Sequence, residues 1–285
     1  MKKILSILCG LLFSIVSVSA VTTNSTTTTD WTTKNGLARV EKIGKNLLTK
    51  NNLPTQVTFK VMETDEINAF ASSENEICVY TGLLKFVNDD SELAGVIAHE
   101  MGHIVNNHVA KQNIVSNITS NLISRANVSA RVKTGAYVAN QLSMLKMSRT
   151  QEYEADITGV DLMTNAGYNP LAMVSLLYKI SGNYIDFVQT HPSGDKRTMY
   201  SYNYITYTYP AKAKLGYSTE SFTQFMNYAK PIVSARNSSA TKLAKFNNEQ
   251  AKLKQKRIEK MQKYKNYYNS WNASYNFLKA LYSVQ

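Results

Sequence analysis

His99-Glu100-Met101-Gly102-His103 sets two imidazoles four residues apart, with a glutamate beside the first. Each helical residue advances by about 100°, so His99 and His103 fall only about 40° apart, one turn along the same face. Two imidazoles held that way can both reach one Zn2+ at about 2.0–2.1 Å. Glu100 projects beside them, where its carboxylate can take a proton from water activated by the metal. A pair of core histidines satisfied by hydrogen bonds has no need of that neighbour. The pattern points to a hydrolytic zinc centre.

A catalytic zinc takes three protein ligands and keeps one position open. Metzincin spacing requires a glycine at position 106 and a histidine at 109; Asn106 and Val109 stand there instead. His108 lies about 180° from His99 on a continuous helix, so it is expected to face away and to be structural. No Asp or Glu occurs between His103 and Gln151, and the next acids are Glu152, Glu154 and Asp156. Glu152 and Asp156 are spaced i, i+4 and share a helix face, whereas Glu154 points elsewhere. The economical assignment makes Glu152 the third ligand and Asp156 the carboxylate that fixes a ligand imidazole. The same spacing also suits an exposed acidic helix start.

Further along, Ser148-Arg149-x-x-Glu152-x-Glu154-Ala155-Asp156 is followed by Thr190-His191-Pro192 and Arg197. With the zinc motif, this order resembles metallopeptidase family forty-eight, a gluzincin group that includes membrane-embedded CAAX prenyl endopeptidases and periplasmic proteases. Asn68-Ala69-Phe70 and Thr81-Gly82-Leu83-Leu84 also resemble the family's pattern ahead of the zinc helix. The resemblance covers residues 35–200 and does not reach the tail beyond Tyr217. It implies zinc on His99, His103 and Glu152, with Glu100 as general base and Asp156 as the supporting carboxylate. It further implies that His191 lies near the metal, either donating to the developing oxyanion or covering the zinc at rest. Arg197 would orient that segment. Asn68, Ala69 and Phe70 would form a sheet edge to which an extended substrate adds by main-chain hydrogen bonds.

The elements that must position these residues are legible from periodicity. Leu37, Val40, Ile43 and Leu47 have helical spacing, and Val57, Phe59 and Val61 alternate as in a half-buried strand. Asn68 to Ala71 and Glu76 to Tyr80 read as two short strands joined by Ser72-Ser73-Glu74-Asn75. A helix with an acidic start at Ser91-Glu92 is expected to run through the histidines to about Val109. Two or three helices are expected between Asn113 and Ser148, then helices at Thr150–Asn165 and Leu171–Ile180. Tyr200 to Tyr209 mixes both periods and stays unassigned. The expected fold is a helix-rich α+β zincin-like domain with a small sheet, spanning 35–217, and a helical extension over 218–285.

The ends differ in character from this body. Lys2, Lys3, an apolar run from Ile4 to Val18 and the small-residue Val18-Ser19-Ala20 lay out a signal peptide over residues 1–20. A Thr-rich linker follows over 21–34. Cleavage after Ala20 leaves Cys78 as the single cysteine, which excludes an internal disulfide. The formal charge is +12, yet residues 236–285 alone hold eleven Lys and Arg against Glu249 and Glu259. There Ile258, Met261, Tyr264, Tyr268, Trp271, Tyr275, Leu278 and Tyr282 recur at helical steps. Such a stripe packs on the body or a partner helix, or lies on an anionic membrane surface. No nucleic-acid recognition motif accompanies the charge. The sequence thus reads as an exported zinc endopeptidase of the periplasm or cell envelope. Its expected substrates are proteins or peptides, misfolded envelope proteins among them, and the hydrophobic spans of the membrane-embedded relatives are missing.

Overall fold

Alternation over Val57 to Val61 produces strand β1 (Thr58–Met62), which pairs parallel to β3 (Glu76–Tyr80) from Thr58↔Glu76 to Met62↔Tyr80. The short β2 (Ala69–Ala71) pairs antiparallel on the other side of β3, giving the order β1-β3-β2. Central β3 carries the buried Ile77, Cys78 and Val79, as a strand covered on both faces requires. Asn75 enters it at φ 60°, a left-handed conformation that Asn tolerates. This computed structural model describes residues 33–72, 74–134, 136, 147–181, 191 and 195–282. The expected signal peptide and most of the Thr-rich linker lie outside them; Thr33 and Lys34 already belong to the first helix.

The helices are α1 (Thr33–Lys50), α2 (Thr81–Phe86), α3 (Asp90–Val105), α4 (His108–Arg125), α5 (Arg149–Asn165), α6 (Leu171–Ser181), α7 (Asp195–Thr208), α8 (Pro210–Ala213), α9 (Glu220–Asn237) and α10 (Ala240–Tyr282). They confirm a helix-rich α+β architecture around a small sheet. Helix α3 starts where the Asp89 side chain accepts from the Glu92 N–H at 2.9 Å, satisfying one of the free amides of the first turn. From Glu92 to Val105 every residue of α3 is buried, because α1, α5, α6 and β2 pack around it. The expected continuation to Val109 is not found. Asn106 caps the helix, Asn107 adopts φ 55° and ψ 35°, and a new helix starts at His108.

Two glycines explain how α3 and α5 come together. A Cβ on Gly102 would lie 2.6 Å from the Ala155 carbonyl oxygen, and one on Gly159 would lie 3.0 Å from the His99 nitrogen. The two backbones touch where the candidate ligands project. The stretch left unassigned from sequence belongs largely to α7, with Tyr204 buried and its hydroxyl donating to Asp161 at 2.8 Å.

The extension is continuous with the body. Phe222, Phe225 and Ala229 of α9 join the same hydrophobic core as Leu93, Ile97, Ile157 and Met173. On α10 the inward residues are Gln250, Arg257 and Tyr264, with Leu253 and Met261 partly buried. Ile258, expected on the apolar stripe, is exposed, because the packed seam runs through its neighbour Arg257 instead. The side chains of Trp271, Tyr275, Leu278 and Tyr282 lie outside the described residues. Among the described residues no helix is long and apolar enough to cross a membrane.

Candidate metal centre

Helix α3 delivers His99, Glu100 and His103; α5 delivers Glu152 and Asp156 from its first two turns; Arg197 comes from α7. The start of α5 is fixed by a capping box, in which Ser148 Oγ accepts from the Gln151 N–H and the Gln151 side chain accepts from the Ser148 N–H. That cap sets the rotation of Glu152 in the first turn.

The two helices and the segment at His191 converge on one point. His99 Nε2 lies 3.1 Å from His103 Nε2 and 3.5 Å from Glu152 Oε2, and His103 Nε2 lies 3.4 Å from Glu152 Oε1. His191 Nδ1 stands 3.3 Å from His99 Nε2 and 3.2 Å from Glu152 Oε1. Four atoms at the corners of a tetrahedron about 2.0–2.1 Å from a zinc ion stand about 3.4 Å from one another. These separations of 3.1–3.5 Å, with Glu152 meeting the histidines through either oxygen, lie close to that edge, and all four residues are buried.

Beside them Glu100 is 1% exposed, and its Oε1 has no hydrogen-bond partner among the described residues. A buried carboxylate oxygen without a donor is costly, so something beyond the described side chains is needed there. A nitrogen and oxygen donor set with an orphaned carboxylate alongside fits a divalent ion such as Zn2+.

The charges around the cluster are tightly balanced. Arg197 donates to Asp156 through Nε at 2.8 Å and Nη2 at 2.7 Å, and its Nη1 lies 2.7 Å from Glu152 Oε2. Burial raises the Glu152 carboxyl, but His191 and Arg197 outweigh it and hold the group well below the usual carboxylate range. Asp156 is lowered in the same way, burial again being overcome by Arg197. Asp156 Oδ1 stands 2.9 Å from His99 Nδ1, without the alignment of a full hydrogen bond. Burial drives His99 down, yet the Asp156 and Glu152 carboxylates reverse this and lift it to about 10. At His103 burial dominates and lowers the imidazole to about 3.

The sheet edge expected to hold substrate runs past the cluster. Asn68 O accepts from the Tyr80 N–H at 3.1 Å, so in the antiparallel register Ala69 directs its carbonyl away from β3. His191 Nε2 lies 3.3 Å from that carbonyl and 3.5 Å from Glu100 Oε1. Asn68 Oδ1 accepts from the Ala69 N–H at 2.9 Å, and the Phe70 ring packs edge-on against Tyr80.

One residue was misplaced by helical projection. His108 does not face away: its Nδ1 lies 3.0 Å from His103 Nδ1, and its Nε2 lies 3.3 Å from Glu154 Oε2. Glu154 stays out of the cluster, pointing elsewhere than Glu152 and Asp156, and meets His108 and Lys260 on its flank. The cause for His108 is the left-handed Asn107, which ends α3 and swings that side chain back, so a rotation counted along one helix does not apply. The Asn106-Asn107 pair was the available signal, since Asn is a favoured residue in that conformation.

The model of peptidase family M48 matches residues 35–200 of the chain. The mitochondrial metalloendopeptidase OMA1 of Arabidopsis thaliana is 34% identical over 149 residues, covering 50% of this chain and 30% of that protein. The beta-barrel assembly-enhancing protease of Escherichia coli K12 is 27% identical over 177 residues, 55% of this chain and 36% of that protein. The metalloprotease YcaL of the same bacterium is 30% identical over 181 residues, 57% of this chain and 67% of that protein. The chain thus spans about a third of the length of the first two relatives. The matched segment runs from α1 into α7 and contains every residue of the four-cornered cluster, so the fold, the motif order and the comparison agree: the chain belongs to peptidase family M48.

Proposed function

We propose that the protein is an exported zinc-dependent metalloendopeptidase that hydrolyses peptide bonds in misfolded proteins of the periplasm or cell envelope. The observation that carries the reading is the tetrahedral spacing of His99, His103, Glu152 and His191 beside the orphaned Glu100 carboxylate. His99, His103 and Glu152 hold the ion; Asp156 and Arg197 hold His99 and Glu152. Bound there, zinc supplies Lewis acidity toward water and the scissile carbonyl.

The chain's own groups do the rest. Glu100 Oε1 takes the proton of the attacking water and passes it to the leaving amine nitrogen as the C–N bond breaks. The Ala69 carbonyl offers the free edge of β2 to an extended peptide, which aligns a substrate without demanding its sequence. His191 occupies the fourth corner and the Ala69 carbonyl together, which supports a resting state in which that side chain must leave before substrate enters. The apolar run from Ile4 to Val18 behind Lys2-Lys3 supports export, and the similarity to the beta-barrel assembly-enhancing protease supports an envelope setting.

The test uses purified protein, a fluorogenic unfolded substrate and elemental analysis. Glu100→Gln should lose about 10²–10⁴-fold in turnover while keeping its zinc, because the group is base and not ligand. His191→Ala should keep zinc and raise basal turnover. Near-normal turnover of Glu100→Gln would refute the mechanism, and a fall in His191→Ala would make that imidazole an oxyanion donor instead.

A further inference from the structure

We infer that the C-terminal helix α10, which lies outside the family match, positions the candidate ligand His103 through a chain of three side chains: Lys260, Glu154 and His108. The inference rests on His103 being a metal ligand through Nε2.

Proton accounting makes the chain one-way. If Nε2 of His103 offers its lone pair to a metal, its proton must sit on Nδ1. That N–H faces His108 Nδ1 at 3.0 Å, so His108 accepts there and carries its own proton on Nε2. The Nε2–H then donates to Glu154 Oε2 at 3.3 Å, and Glu154 Oε1 receives the Lys260 ammonium at 2.5 Å. Each imidazole N–H of the chain meets an acceptor. His108 is 1% exposed, so water does not compete for either ring nitrogen. Lys256 stands 3.8 Å from the same Glu154 oxygen as a second cation from α10.

One turn back along α10, Arg257 Nη1 donates to Asn106 Oδ1 at 3.4 Å, while Asn106 Nδ2 donates to the Gly102 carbonyl at 2.7 Å. The tail helix therefore grips both the residue that caps the zinc helix and the side chain that supports its second histidine. Tyr264, paired with the Thr55 hydroxyl, anchors the next stretch of α10 against the body. A histidine ligand whose far nitrogen is held by an acceptor is fixed in tautomer and orientation, and loss of such an acceptor costs about 10–100-fold in metal affinity or activity.

The experiment measures zinc affinity of the full chain by competition with a chelating dye, beside the melting temperature of the zinc-free protein. His108→Ala should weaken zinc about 10–100-fold. Substituting both lysines, Lys256→Met with Lys260→Met, should weaken it by a smaller ~2–5-fold, the size a partly exposed ion pair carries. Adding the lysine changes to His108→Ala should cause no further loss, because the chain is already cut. His108→Asn retains an acceptor for His103 and should recover part of the affinity while becoming indifferent to the lysines. Lys252→Met with Lys254→Met, an equal charge change at exposed positions of α10, should do nothing. Unchanged affinity in His108→Ala and in the lysine pair, with His103→Ala abolishing binding, would overturn this inference and leave the metal assignment standing. Failure of the unmodified protein to bind zinc would overturn both. Additive losses in the combined variant, or a lowered zinc-free melting temperature with unchanged affinity, would make the contacts merely structural.

Discussion

The two histidines of the motif are braced by different physics. On the His99 side the support is ionic and sealed: Asp156 and Arg197 are both buried, and the guanidinium bridges Asp156 and Glu152 at 2.7–2.8 Å. On the His103 side it is a relay of neutral and charged groups that climbs through His108 to Glu154 and ends on ammonium groups near solvent. The first brace lies wholly within the family-matched segment. The second borrows its last members from α10. A buried ion pair is rigid but unforgiving, since removing one partner strands the other's charge. A relay ending in water tolerates damage at its outer end. The same pocket thus has one side fixed by burial and one open to adjustment from the tail.

The largest effect should come from breaking the sealed side. Arg197→Leu leaves Glu152 and Asp156 as buried carboxylates without their cation, which costs about 3–5 kcal/mol of stability. Chemical denaturation of the zinc-free variant measures this. The sign with pH follows from the lowered carboxylates. Their contribution is fully present above the unfolded values, roughly 3.9–4.3, and is lost as pH falls through the depressed folded values. The deficit of Arg197→Leu against the unmodified protein should therefore shrink in acid below about pH 4. A deficit that grows there, or a loss under 1 kcal/mol, would mean the clamp is not what holds this side.

How much of this was legible in the sequence divides along the same line. The spacing of the sealed side was readable on uninterrupted helices, His99 and His103 on α3 and Glu152 and Asp156 on α5, while the choice of Glu152 over an exposed acidic helix start, and the place of Arg197, came with the family resemblance. The first strand was readable from alternation and the next two from the polar turn between them, whereas the edge at Ala69 came with the family resemblance. The relay was not, because its geometry depends on one left-handed residue, Asn107, that turns a projected 180° into a contact. The tail was read as amphipathic, and Met261 and Tyr264 of the expected stripe do face the body, but Ile258 does not, its place being taken by Arg257. The stripe was sought in apolar residues, whereas the packed positions include Gln250 and Arg257, the latter buried against Asn106 and Asp161, partners that sequence alone does not disclose. Tyr200 to Tyr209 stayed unassigned because α7 buries Tyr204 with its hydroxyl on Asp161, and Tyr209 just past the end of α7 turns its hydroxyl to the same carboxylate, so hydrophobicity and polarity alternate irregularly.

Both braces depend on a single close approach, which gives a test of smaller size. Gly102 lies between the two ligand histidines, where a Cβ would meet the Ala155 carbonyl oxygen at 2.6 Å and the Ala155 Cα at 2.9 Å. Those are backbone atoms of α5 and cannot rotate aside. Gly102→Ala must push the helices apart, moving His99 from Asp156 and Glu152 on one side and His103 from Glu152 on the other. Overpacking of this kind costs about 1–3 kcal/mol, and zinc affinity should fall with it. Gly95, two turns earlier on the same helix, offers the control. A Cβ there finds its nearest neighbour, Met173 Cα, at 3.7 Å, an ordinary contact. Gly95→Ala should be neutral or stabilising, because alanine is favoured over glycine in a helix by up to about 1 kcal/mol. Melting temperature and dye-competition affinity for zinc, read on both variants, separate the two outcomes. Equal behaviour of Gly95→Ala and Gly102→Ala would show that the separation of α3 and α5 does not set the ligand geometry, and the braces would then have to act independently of it.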